Sequence, residues 1–188
     1  MILGSQLMGT LLAAVLAATS GGITSPASVP AGVQMAIFQN IWKMDRNFDR
    51  NRVTTLAVLY QKENRASVVA RNEIYAVVQV MDPLIRLKTI EVGTPELLRQ
   101  AMAETDADVV YVTPLRAVDV SEIARISRRR RIRTITGVAE YVEAGIGVGI
   151  GIRKSRPLIF INLQGARAEG SDFEAQLLHL ARIVGPAS

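Results

Sequence analysis

Glycine stands at every second position from 145 to 151, alternating with Ile146, Val148, Ile150 and Ile152. Few stretches restrict a fold as much, because this one must be either a phosphate-cradling loop or a strand with one bare face. A dinucleotide loop, G-x-G-x-x-G, needs a third glycine where this chain has Ile150, Ile152 or Lys154. No G-K-[ST] follows, and the stretch leads into another apolar run, "PLIFINL", instead of opening a helix. Period two is the period of a strand, so the branched residues are expected on one face and the glycines on the other. A hairpin of 146–153 with 157–163 follows, turning at Lys154 and Ser155. A glycine face weakens a strand but admits a close neighbour. A packed helix is the expected neighbour, and a docked partner or ligand is the alternative.

Upstream, β-branched runs alternate with helical stretches. Residues 33–44 carry Met35, Phe38, Ile41 and Trp42 at helical spacing, and "VTTLAVLY" reads as a buried strand. Residues 66–80 are helical, Asp82-Pro83 stops them, and "LIRLKTIEV" alternates as a strand does. Thr94 with Pro95 signals a helix start, with Leu97, Leu98 and Ala101 expected on one face. "ADVVYVT" is another strand, Asp119 or Ser121 opens the helix that runs into "RRRR", and "RTITG" is a further strand before one short helix. The order predicts an α/β fold of three layers: a mostly parallel sheet, helices on both faces, and a C-terminal antiparallel hairpin. "FEAQLLHLARIV" is expected as one last helix packed across that hairpin, its core stripe being Phe173, Leu177, Leu180, Ala181 and Val184.

Composition bears on compartment and partner. Residues 7–18 form an uncharged apolar run of signal-peptide length, with small residues at Val29 and Ala31 for cleavage after Ala31, and at Ser25 and Ala27 for a second site. Residues 1–31 are therefore expected to be an export signal and 32–188 the domain; an uncleaved anchor is the alternative. The 22 Lys and Arg against 17 Asp and Glu all follow that run, so the domain carries the whole +5. Outside the cytoplasm such a surface suits an acidic envelope component, whether a polymer, anionic headgroups or an acidic protein patch, with self-association as a homodimer left open. Nucleic acid is excluded as a partner, since no aromatic interleaves the arginine run.

The absence of cysteine removes thiol chemistry, and one histidine without clustered carboxylates gives no metal site. No cofactor is implied, and no nucleophile–base set is visible, so an enzyme is not expected. His179 falls off the expected helical stripe and reads as solvated. Trp42 lies on the apolar stripe of its helix and reads as core; Asn162 reads as an amide tying a strand to the next helix. Arg128, Arg129, Arg130 and Arg131 close a helix, where cations complement the dipole, and they are the candidate partner-binding patch. Parallel sheets take ligands beyond the carboxyl ends of their strands. Gln61, Thr113, Arg116, Thr136 and Gly137 are therefore the candidate ligand-binding residues of a single crevice.

The end of the chain resembles a known family. Ile161, Asn162 and Leu163, then Ala166 and Arg167, then Leu177 through Arg182, are similar to the C-terminal signature of the YfiR-like family of exported α/β regulators; Phe38 and Trp42 match its aromatic first helix. Lys43 stands where the family commonly has proline, and Gly145-Ile146-Gly147 where it has Gly-Gly-Met. The cysteine pairs of well-known members are missing, so their redox behaviour does not transfer. The resemblance implies a periplasmic protein that regulates a membrane partner, a diguanylate cyclase or sensor protein, by protein–protein contact. A periplasmic small-molecule binding protein is the second reading.

Overall fold

The structure, a computed structural model, describes residues 28–81 and 83–185. The apolar run at 7–18 and the cleavage position after Ala27 lie outside the described residues. The chain runs α1 (Ala31–Lys43), β1 (Thr54–Tyr60), α2 (Arg65–Met81), β2 (Ile85–Glu91), α3 (Pro95–Glu104), β3 (Val109–Val112), α4 (Val120–Arg130) and β4 (Arg133–Thr136). It continues through α5 (Glu140–Glu143), β5 (Val148–Arg153), β6 (Arg156–Asn162), α6 (Leu163–Ala168), α7 (Ala175–Leu180) and β7 (Arg182–Val184). The seven strands form one sheet in the order β2-β1-β3-β4-β5-β6-β7, parallel except for the β5–β6 hairpin. The expected α/β fold and its antiparallel hairpin are present.

Burial on both faces explains why β1 and β3 read as unbroken apolar runs. Leu56, Val58, Val109 and Tyr111 meet Met35, Phe38, Ile41 and Trp42 of α1 and Ile74 and Val78 of α2. The alternate residues Ala57, Leu59, Val110 and Val112 meet Leu98 and Met102 of α3 and Ile123 of α4. Thr94 accepts the Leu97 N–H at 3.2 Å, and Asp119 that of Ser121 at 2.8 Å, so α3 and α4 begin at capping side chains.

Three local expectations change. In α3 the buried pair is Leu98 and Met102, while Leu97 is 47% exposed, so the core stripe is turned by one position. The last helix stops at Leu180, which is exposed, and only Phe173 and Leu177 of the expected stripe are buried. Residues 182–184 instead pair in parallel with Phe160–Asn162. The extended, β-branched Ile183-Val184 is better used there, because it covers the open edge of β6. Finally, Ile146 packs in the α3–α4 core while Val148 and Ile150 face α1 and α2; the strand alternation begins only after Gly147.

From Val148 on, the glycine face behaves as a site of close approach. A Cβ at Gly149 would lie 2.4 Å from Val142 Cγ2, and one at Gly151 2.8 Å from the Ala139 side chain. The short α5 therefore occupies the bare face, as expected. At Gly147 the neighbour is a carboxylate, Glu169 Oε2, at 2.5 Å from the position of a Cβ. Lys154 (φ 48°) and Ser155 (φ 60°) make the hairpin turn in the left-handed region that two-residue turns demand.

Gly149→Val should lower stability by about 1–3 kcal/mol through overpacking against Val142. Gly93→Ala, where an added Cβ meets nothing within 4 Å, should change it by less than about 0.5 kcal/mol. Urea midpoints for the two variants check this pair.

Candidate functional site

Three places could carry function: the carboxyl end of the sheet, the arginine run, and a buried acidic cluster. The first contains all five candidate ligand-binding residues. The sheet order reverses between β1 and β3, which is where doubly wound folds open their crevice. Here that crevice is filled by the chain itself. Gln61, 4% exposed, accepts the Arg116 N–H at 2.5 Å and the Ala117 N–H at 3.2 Å through Oε1. Its own N–H goes to Ser67 Oγ, which lies 2.6 Å from Thr113 Oγ1, and Thr113 donates to the Leu59 carbonyl at 2.7 Å. Thr136 donates to the Val112 carbonyl at 2.8 Å. Gly137 is pressed against Gln34 and the Tyr111 hydroxyl. Of the five, only Arg116 presents its side chain to solvent. They do gather at one end of the sheet, as the sequence suggests, but the side chains of Gln61, Thr113 and Thr136 are occupied by internal hydrogen bonds and Gly137 is covered by Gln34 and Tyr111.

The arginine run divides in two. Arg128 donates to the Gly145 carbonyl at 2.9 Å. Arg130 donates to the Met102 carbonyl and, at 2.8 Å, to that of Thr105, closing the C-terminus of α3. These two hold carbonyl groups of the fold, which departs from the expectation that the run serves docking rather than folding, although Arg130 is also exposed. Arg129 and Arg131 are exposed and form no ion pair among the described residues. Arg131 ends α4 in the left-handed conformation, φ 55°.

Sequence reasoning missed the third place. Glu169 is 1% exposed, and its oxygens accept the Thr134 N–H at 2.9 Å and the Thr134 hydroxyl at 2.6 Å. The same hydroxyl accepts the Gly147 N–H at 2.7 Å. Burial holds the Glu169 carboxyl at about 8, the Thr134 hydrogen bonds and the charges of Arg128 and Arg133 offsetting only part of that. Close by, Asp45 accepts Arg133 Nε at 3.0 Å and the N–H groups of Asn47 and Asp172 at 3.0 and 2.9 Å. The sole local hint was the Glu-Gly pair ending the Ala/Arg helix, and nothing in spacing linked it to Thr134.

His179 is exposed, and Trp42 is 6% exposed and stacked on Phe48, as their sequence positions suggest. The Asn162 amide accepts the Gly165 N–H at 2.8 Å and donates to the Val142 carbonyl at 3.3 Å, tying β6 to α6 and α5. Among the described residues no three metal-binding side chains cluster, and no helix is long and apolar enough to cross a membrane.

The model of the YfiR/HmsC-like family matches residues 48–182, from the end of the α1 connection to the start of β7. The chain belongs to the YfiR/HmsC-like family. The match takes in Glu169, the arginine run and the glycine strand alike. A search of curated proteins finds no match. Solved structures share the fold at low identity. A substrate binding protein with adhesive properties, CD0873 of Clostridium difficile, in its ligand-free open form, has TM-score 0.69 and 14% identity, over 86% of this chain and 62% of that one. A conserved domain protein of Vibrio cholerae has TM-score 0.66 and 13% identity, over 85% and 61%. An ABC domain from Streptococcus pneumoniae in complex with L-Trp has TM-score 0.63 and 13% identity, over 82% and 62%. The YfiR-like chain thus spans about three fifths of each.

Glu169 makes the stability of this family member depend on pH. The folded state holds the proton up to about 8, whereas an ordinary glutamate loses it near 4.5. The stabilising contribution is complete below about 4.5 and is lost as pH rises to about 8, amounting to a few kcal/mol. Melting temperature should therefore fall between pH 5 and 8. Glu169→Gln, which keeps the shape and removes the titration, should flatten that slope in a calorimetric pH series.

Proposed function

We propose that this protein is a periplasmic regulator that acts by contact on a membrane signalling partner, a diguanylate cyclase or a sensor protein. The observation that carries the reading is the pair Arg129 and Arg131, exposed at the end of α4 without an ion pair among the described residues. Exposed Arg167 of α6, which packs on α4, adds to the same basic face. Such charges steer an acidic partner and set the association rate more than the depth of binding. Family membership supports regulation over catalysis, and the filled crevice at the carboxyl ends of the strands speaks against a ligand-driven role there. The second reading, a small-molecule binding protein, has the substrate binding protein of the same fold in its favour; its ligand would have to enter elsewhere.

The basic face is tested with two double variants in co-sedimentation with envelope membranes at low and high salt. Arg129→Gln with Arg131→Gln should keep the native melting temperature and weaken association, with a shallower salt dependence. Arg128→Gln with Arg130→Gln should instead lower stability by about 1–3 kcal/mol, because carbonyl groups lose their donors. Equal salt slopes for wild type and the first variant would reduce Arg129 and Arg131 to a solvated helix end.

Export sets the start of the mature chain. Val29 is 3% exposed in the α1–α2 core, and its carbonyl accepts Gln34 Nε2 at 2.6 Å. Cleavage after Ala31 would discard that residue together with Pro30, whose carbonyl accepts the Gln34 N–H at 3.0 Å. We therefore expect processing after Ala27, giving Ser28 as first residue, and intact mass of the exported protein measures it.

A further inference from the structure

A groove of about 320 Å³ opens at the amino ends of β1 and β2, on the face covered by α1 and α2. That volume is near the lower end of the range small-molecule sites occupy, about 300–1,000 Å³. Its inner wall is apolar, with Trp42 and Phe48 beside Met81 and Ile85. The two rings stack in parallel, centroids 5.0 Å apart at 7°. The Arg133 guanidinium lies over the Phe48 ring at 5.2 Å and is itself held by Asp45, so the aromatic wall is fixed in place.

The rim is cationic. Arg52 is neutralised by Asp108 at 2.5 Å, whose other oxygen accepts the Thr55 N–H at 2.8 Å. Among the described residues neither Lys43 nor Arg50 forms an ion pair, and Lys43 donates to the neutral Asn40 amide at 3.3 Å. The neighbouring Asp49 carboxylate is turned into its own loop, where it accepts the Asn51 N–H at 2.9 Å. An apolar wall beside two exposed cations that have no ion pair among the described residues matches an apolar body carrying one anionic end.

We propose that this groove binds a single amphipathic anion, its apolar body against Trp42 and Phe48 and its carboxylate or phosphate between Lys43 and Arg50. The proposal is independent of the partner reading, since the groove shares no residue with the α4–α6 face.

Trp42 is the only tryptophan of the chain, so its fluorescence reports the groove directly. The probes are decanoate and decyl phosphate, kept below their micellar concentrations, with decanol lacking the charge and acetate lacking the body. One of the two anions should change the emission saturably at one molecule per chain and raise the melting temperature, as a ligand of the folded state does. Decanol should bind at least about tenfold more weakly, the ratio expected for loss of a charged hydrogen bond. Lys43→Gln with Arg50→Gln should retain the native melting temperature and weaken the anion by about tenfold or more. Arg129→Gln with Arg131→Gln should leave the titration unchanged, which separates this site from the partner surface. No saturable response to either anion, equal binding of decanol, or an unaffected Lys43/Arg50 variant would each overturn the proposal.

Discussion

The bare face of β5 dictates what surrounds it. With no side chains at Gly149 and Gly151, α5 comes close enough for Val142 to fill the space where a Cβ would be. At the exit of this helix the N–H groups of Ala144, Ile146 and Gly145 return to the carbonyls of Glu140, Tyr141 and Val142. Two side chains from other elements add donors there: Asn162 to the Val142 carbonyl and Arg128 to the Gly145 carbonyl. Gly145 itself sits at φ 114°, a turn that a side chain would strain. The strand, the short helix, the family's Asn162 and Arg128 of the arginine run are thus one arrangement with one cause.

Just below that arrangement the chain buries two carboxyl groups and treats them differently. Asp45 faces a guanidinium and two backbone N–H groups, so its charge has partners on every side. It joins the exit of α1 to the first residue of β4 and to the segment before α7, contacts 88 and 127 residues apart in sequence. Among the described residues Glu169 accepts hydrogen bonds from the hydroxyl and N–H of Thr134. Those bonds and the charges of Arg128 and Arg133 offset only part of its burial, whereas Asp45 has a guanidinium in direct contact. Position, not residue type, makes one of these groups a clamp and the other a proton binder.

The sequence revealed what is encoded locally. Unbroken β-branched runs gave β1, β3 and β4, capping side chains gave the starts of α3 and α4, and period two gave the glycine hairpin. The errors occur where a distant contact decides. "LLHLARIV" has helical composition, and only the open edge of β6, brought close by the fold, draws its last residues into a strand. Leu97 and Ala101 are as apolar as Leu98 and Met102, and nothing local says which pair meets Ile123. Arg128 and Arg130 look identical to Arg129 and Arg131 until the carbonyls of Gly145, Met102 and Thr105 are in place. Glu169 was invisible for the same reason, since its neighbour Thr134 is 35 residues away.

Parallel topology also explains why the basic residues collect at one end. Each crossover helix runs back against its strands, so α1 and α4 finish at the amino end of the sheet, where their carbonyl ends gather partial negative charge. Lys43 stands in the last turn of α1 and Arg128, Arg129 and Arg130 in that of α4. The last turn of α3 has no basic residue of its own, and Arg130 reaches across to supply one. Arg128 and Arg130 serve carbonyls directly. Lys43, Arg50, Arg129 and Arg131 make no ion pair among the described residues, and exposed charges of one sign add to the field outside the molecule. The carboxyl end, where the fold would ordinarily place its chemistry, is filled by neutral hydrogen bonds among Gln61, Ser67 and Thr113 and from Thr136 to the Val112 carbonyl. The surfaces proposed above for recognition, the α4–α6 face and the groove beside Trp42, therefore both lie at the opposite end of the sheet.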